Sequence, residues 1–227
     1  MSDVLLIHGA CHGAWCWDAV ASHLSESGHR PIAVDLPCDD PKSGLAEYTD
    51  VAVASLPAGL DDLIVVGHSL GALTAAIVAD RVKTRRLVFV AGIIPSPGKS
   101  LADLATSDAE RDGHLGKEDL EFDKSGLFRF SREGAMRALF HDCEPEAADL
   151  ALARLRFQHS MWNEVAEFDG WRATEIVSVV CTEDRVVNPA WSRQVSKERL
   201  GVDAIELPGG HSPWLSRPAE LARMLVE

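Results

Sequence analysis

Short apolar runs recur along the chain, separated by longer amphipathic or alanine-rich stretches. Val4–His8, Pro31–Asp35, Leu63–Gly67, Leu87–Ala91, Ile176–Cys181 and Ala204–Leu207 read as strands. Several are apolar at nearly every position, as parallel strands covered by helices on both faces should be. Between them, Trp17–Ser27, Leu45–Leu60, Leu70–Val82, Pro189–Leu200 and Pro213–Val226 read as helices. Gly28 and Gly201 stand where helices stop, and Pro189 and Pro213 where they start. Pro57 leaves the end of the second helix open. Such alternation predicts an α/β fold, an open sheet with helices on both faces.

One block interrupts the rhythm. From about 95 to 170 no strand pattern appears, and Leu101–Ala109 and Glu146–Arg156 look helical. The block holds 16 acidic and 9 basic residues, so it carries −7 of the net −13, and six of the seven Phe residues. The expectation is a helical cap, 95–170, inserted into a core formed by 1–94 and 171–227, with most of its aromatics in a small core of its own.

The chain has 227 residues, 46% hydrophobic and 25% charged, which excludes a disordered chain but allows one large domain or two small ones. The acidic balance argues against a nucleic-acid partner and against an anionic membrane surface. No run approaches the roughly 18 apolar residues of a membrane span, and Val4–Ile7 lacks the flanks of a signal peptide. Five scattered cysteines suggest reduced thiols and a cytoplasmic protein. Cys11-His12 with Cys16 has metal-binding residue types, but no second CxxC or HxxxH group joins it, so no metal is expected.

The informative residues are Gly67-His68-Ser69-Leu70-Gly71. Alone, GxSxG is a weak signal. Here a buried strand runs directly into it and a good helix leaves it, which places Ser69 on a tight, strained turn at a helix N-terminus. A serine nucleophile needs a base and a third group to orient that base. In such elbows the chain order is serine, acid, histidine. After Leu87–Ala91 no acid is available, whereas Ile176–Cys181 is followed by Thr182-Glu183-Asp184-Arg185. Glu183 and Asp184 cannot both face a histidine, and Asp184 is the candidate. His211 follows the last strand on a Gly-Gly turn and is the only histidine after residue 159. His68 reads as a packing or hydrogen-bonding residue rather than a catalyst. An oxyanion needs two N–H donors: Leu70, after the nucleophile, and one from the loop His8–Trp15.

HGACHGAWCW (8–17), GHSLG (67–71), VCTEDR (180–185) and GGHSPWLSRP (209–218) resemble the α/β-hydrolase superfamily, within it the plant methylesterase and hydroxynitrile lyase branch. The pieces span nearly the whole chain, though the middle block matches only loosely. The resemblance implies a core sheet of about six strands with a cap, a triad of Ser69, Asp184 and His211, oxyanion donors at Ala10 and Leu70, and no cofactor. The lyases carry a threonine where this chain has Gly9 and a lysine where it has Ser212, so the esterase side is favoured. Many relatives carry an acid where this chain has Gly210.

The expected activity is therefore hydrolysis of a small-molecule ester through an acyl-enzyme on Ser69. The alternatives are a lyase or cofactor-free oxygenase on the same scaffold, and a non-catalytic small-ligand receptor. Cys11, Phe122, Phe128, Phe130, Phe157 and Trp162 are the candidate substrate-lining residues. Oligomeric state is not readable from the residues, a homodimer being one option.

Overall fold

The computed structural model describes residues 1–113, 115–173 and 175–227. The chain begins with β1 (Asp3–Ile7), α1 (Asp18–Glu26), β2 (Arg30–Val34), α2 (Leu45–Ala54), β3 (Leu63–His68), α3 (Gly71–Arg81) and β4 (Arg86–Val90). The stretch 95–170 then holds β5 (Lys99–Ser100), β6 (Leu120–Phe122), β7 (Phe128–Phe130), a short α4 (Arg132–Gly134) that widens into a π-helical turn over Ala135–Leu139, α5 (Pro145–Leu152) and β8 (Val165–Ala166). It closes with β9 (Glu175–Cys181), α6 (Pro189–Val195), β10 (Ile205–Leu207), α7 (Pro213–Ser216) and α8 (Pro218–Val226). Among the described residues no helix is long and apolar enough to cross a membrane.

Six strands form one parallel sheet in the order β10-β9-β4-β3-β1-β2. The apolar strands read from the sequence are its strands, with β3 and β4 buried along their whole length. Helices flank it, α1 packed on α8 and α2 on α3. The chain moves outward from β1 to β2, then returns to β3 on the other side of β1. Where strand order reverses in this way, the loops after the two central strands diverge and leave a crevice at the strands' C-terminal ends. The loops after β1 and β3 carry His8–Trp15 and Ser69, so topology alone brings these two segments together.

Proline accounts for two departures from the expected helices. Helix α2 stops at Ala54, short of Pro57, because a proline disfavours helical geometry in the residue before it. Pro218 divides the last helix into α7 and α8, with Pro218 itself in the first turn of α8.

The 95–170 stretch is less helical than its composition suggested. Residues 101–110 form a run of turns rather than a helix. The Asp103 carboxylate accepts from the Ser100 N–H at 2.9 Å and its hydroxyl at 2.7 Å, and Asp108 turns inward to Arg199. Short polar side chains that bond nearby backbone compete with helix formation. Two small antiparallel pairs, β5 with β8 and β6 with β7, stand where no strand was expected, and α5 takes up the expected second helix.

The glycines of the elbow are required by space rather than by dihedral angle. A Cβ on Gly67 would lie 2.6 Å from the Ala75 Cβ, and one on Gly71 would lie 2.4 Å from the His8 carbonyl oxygen. Since backbone cannot step aside as a side chain can, Gly71→Ala is expected to destabilise the fold by about 3 kcal/mol. Urea unfolding measures this, and a midpoint equal to the wild type's would show that α3 does not press on the β1 end as described.

Candidate active site

Ser69 sits between β3 and α3 with φ 51, a left-handed conformation that costs a non-glycine residue about 1–2 kcal/mol. Three backbone bonds hold it there. Its N–H donates to Val90 O at 3.0 Å, and its carbonyl accepts from Ala72 N and Ile93 N, each at 3.1 Å. The strain lifts the hydroxyl clear of the sheet toward the loop after β10.

That loop brings His211 to it. The Ser69 Oγ–H lies 2.9 Å from His211 Nε2, and the His211 Nδ1–H donates to Asp184 Oδ2 at 2.8 Å. A carboxylate only accepts, so Nδ1 carries the proton and Nε2 presents its lone pair to the serine. Asp184 Oδ1 accepts from the N–H groups of Val186 at 2.8 Å and Val187 at 3.0 Å, which fixes the carboxylate in the turn after β9. Both His211 and Asp184 side chains are 2% exposed. Glu183 instead uses its backbone, donating its N–H to Gly209 O at 2.9 Å and so tying the two loops together. From the 95–170 stretch, Asp142 accepts the Gly210 N–H at 2.8 Å, and a Cβ on Gly210 would lie 2.6 Å from that carboxylate. In this chain a carboxylate from another segment occupies the space where a side chain at 210 would go.

The loop after β1 faces Ser69. A Cβ on Gly9 would lie 2.9 Å from the Ser69 Cβ and 2.8 Å from His68 Nδ1, so only glycine lets the backbone come this close. Among the described residues neither the Ala10 nor the Leu70 N–H has a backbone acceptor. Two histidines hold the Ala10 region from within. His8 Nδ1–H donates to Gly9 O at 2.8 Å while its Nε2 accepts from Leu36 N at 3.1 Å. His12 Nδ1–H donates to Ala10 O at 2.6 Å. His68 Nε2–H donates to the His211 carbonyl at 2.8 Å. Burial strips solvent from all three rings and favours their neutral forms, lowering His8 to about 4, His12 to about 3 and His68 well below the usual histidine range.

A cavity of about 150 Å³ opens above Ser69 and His211, its walls including Ala10, Leu70, Ile93, Leu139, Val186 and Val187. Leu115, Leu120, Phe128 and Phe130 of the 95–170 stretch complete it, and they are apolar. Asp112 is its one charged wall residue among those described. Leu70, Asp112, Leu115, Leu120 and Phe128 also border an outer cavity of about 370 Å³ that reaches Lys117, Met161 and Trp162.

The alpha/beta hydrolase family profile matches residues 4–224. The chain belongs to that family. Methylesterase 7 of Arabidopsis thaliana is 29% identical to this hydrolase over 98% of the chain and 94% of its own length. Methyl jasmonate esterase 1 of Vitis vinifera is 26% identical, covering 98% and 95%. Among solved structures, polyneuridine aldehyde esterase superposes with TM-score 0.84 at 20% identity, over 100% of this chain and 98% of that one. A pyrethroid hydrolase from Sphingobium faniae gives 0.81 at 23%, over 99% and 95%. The fold and the likeness to plant methylesterases thus agree with the motifs.

Of the six residues expected to line a substrate pocket, this cavity takes in two. Phe128 and Phe130 face it, and Trp162 borders only the outer cavity. Phe122 is 62% exposed, at the outer end of β6. Phe157 is not among the wall residues; the Arg129 guanidinium stacks over its ring at 4.7 Å. Cys11 is fully buried beneath the loop, where its thiol donates to Phe128 O at 3.7 Å, and burial pushes that thiol up, away from the reactive thiolate. All five thiols are free. Besides His12 and Asp112, the walls that sequence reasoning missed, Ile93, Leu115, Leu120, Leu139, Val186 and Val187, are ordinary apolar residues. Only the position of the last two, two and three residues after Asp184, offered a signal.

Proposed function

We propose that this hydrolase is a serine carboxylesterase acting on small uncharged esters. The observation that carries the reading is the hydrogen-bonded chain Ser69–His211–Asp184 opening into an apolar cavity. Ser69 Oγ attacks the ester carbonyl carbon while its proton passes to His211 Nε2. Asp184 stays a carboxylate and stabilises the imidazolium. The Ala10 and Leu70 N–H groups, free of backbone acceptors, receive the oxyanion. His211 returns the proton to the departing alkoxide oxygen, leaving the acyl group on Ser69. Water then enters by the same route, its proton taken by His211, and the carboxylic acid leaves as Ser69 recovers its hydrogen.

In this reading residues 95–170 are a cap inserted into a single domain of 1–94 and 171–227. Apolar walls disfavour a substrate carrying its own negative charge, which would lose its hydration there without gaining a partner. Names of the relatives, methylesterase and methyl jasmonate esterase, support the ester chemistry. Ser212, rather than a cation, follows His211, and Gly9 has no room for a threonine side chain; both favour hydrolysis over cyanohydrin cleavage.

The test is turnover of p-nitrophenyl acetate and butyrate, with labelling by a fluorophosphonate and mapping of the modified peptide. One label per chain on Ser69, together with ester turnover, is the expected result. A folded protein that neither turns over a broad ester panel nor takes the label would overturn the reading.

A further inference from the structure

The oxyanion loop is held from two sides. His8 and His12 grip the Gly9 and Ala10 carbonyls from within the core. The next two residues are gripped from the 95–170 stretch. Cys11 stands at φ 65, a conformation that a side chain with a Cβ rarely adopts, and it follows Ala10 directly. Its carbonyl accepts from the Arg156 N–H at 2.8 Å, and its N–H donates to Gln158 Oε1 at 3.4 Å. The His12 carbonyl accepts from Arg156 Nε at 3.1 Å and Nη2 at 2.9 Å. Arg156 Nη2 reaches on to Leu36 O at 3.0 Å, and the guanidinium pairs with Asp35 at 3.3 Å and Asp39 at 3.7 Å. Gln158 is 1% exposed, and its Nε2 donates to Tyr48 Oη at 3.0 Å and His159 O at 2.7 Å. With both amide protons committed, its oxygen is left to face Cys11.

We propose that the side chains of Arg156 and Gln158 are positioning groups: Arg156 at the His12 carbonyl and Gln158 at the Cys11 N–H hold the residues on either side of the strained Cys11 turn, beyond what the Arg156 backbone N–H does, and so keep the Ala10 N–H aimed at the developing oxyanion. Neither is a wall of the catalytic cavity. Without them Cys11 relaxes toward negative φ, the Ala10–Cys11 peptide turns and carries Ala10 with it, and the N–H of the adjoining Gly9–Ala10 peptide becomes a donor that must be ordered in each turnover. The segment that roofs the cavity thereby also sets the geometry of its floor. This inference rests on the esterase reading and on Ala10 as an oxyanion donor.

The test compares wild type, Arg156→Ala, Arg156→Lys and Gln158→Leu. Each is assayed for kcat and KM on p-nitrophenyl butyrate, melting midpoint, and inhibition by an alkyl trifluoromethyl ketone and its methyl ketone counterpart. The fluorinated ketone adds to Ser69 and presents an oxyanion; the methyl ketone binds without doing so. Expected are losses in kcat of about 30-fold for Arg156→Ala and about 10-fold for Gln158→Leu, with KM within about threefold. Fluorinated-ketone affinity falls by similar factors, methyl ketone affinity holds, and Arg156→Lys recovers part of the loss. If Arg156→Ala does not fold, Gln158→Leu and Arg156→Lys carry the same comparison. Variants that melt earlier but keep wild-type kcat and ketone selectivity would overturn the positioning role alone, provided that wild type turns over and Ser69→Ala does not. A wild type without ester turnover overturns the esterase reading and this inference with it.

Discussion

Ser69→Ala is expected to lower kcat on p-nitrophenyl esters by about 10⁴-fold or more while leaving the fold intact. The hydroxyl it removes is the only oxygen that His211 Nε2 contacts in the described structure, at 2.9 Å. Without it no acyl-enzyme forms, and the base has only a loosely placed water to activate. What survives is binding and the oxyanion donors, which in serine hydrolases leave a small residual rate. Alanine keeps the Cβ, so the φ 51 strain at the elbow is unchanged and the melting midpoint should move little. Retention of more than about a hundredth of the wild-type kcat would remove Ser69 from the nucleophile role.

A steep loss of stability between about pH 6.5 and pH 4 is the second large effect. His8, His12 and His68 have their proton affinities depressed by burial, His8 to about 4 and His12 to about 3. In the unfolded chain each returns to about 6.5. The unfolded state therefore binds more protons than the folded state below pH 6.5, and stability falls as pH falls. Stability is full above about 6.5, and the loss continues down through the folded values. Each histidine costs on the order of 2 kcal/mol by pH 5, so three together rival the whole stability of a typical domain. Carboxylates lowered by their partners, such as Glu175 beside Arg86 and Asp62 beside Ser2 and Arg85, act in the same direction but only below about pH 4.5. The windows separate the two causes. Urea midpoints at pH 7.5, 6.0 and 5.0 read the histidine contribution, and His12→Gln should flatten that slope by about a third. Equal midpoints at 7.5 and 5.0 would mean that these rings are not buried neutral.

Periodicity and motif order made much of this hydrolase legible before any coordinates. Strands β1, β3 and β4 announce themselves because a parallel strand covered on both faces must be apolar at nearly every position. Ser69, Asp184 and His211 were legible because each follows a strand and precedes a helix start, a context that few other serines, acids or histidines in the chain share. Apart from α5, the 95–170 stretch resisted because its strands are two or three residues long and its turns are built by side chains bonding nearby backbone, which leaves no period to read.

Local sequence thus determined the strands, the elbow and the strand-end positions of Ser69, Asp184 and His211, since these depend on neighbours in the chain. Tertiary structure decided everything that depends on approach between distant segments. It placed Phe128 and Phe130 in the cavity wall but Phe122 in solvent, three residues of the same type within nine positions. It set Asp142 against Gly210 and carried Arg156 and Gln158 to a loop more than a hundred residues away. Hydrogen bonds of that span leave no spacing in the sequence, because loop closure places few demands on the residues in between.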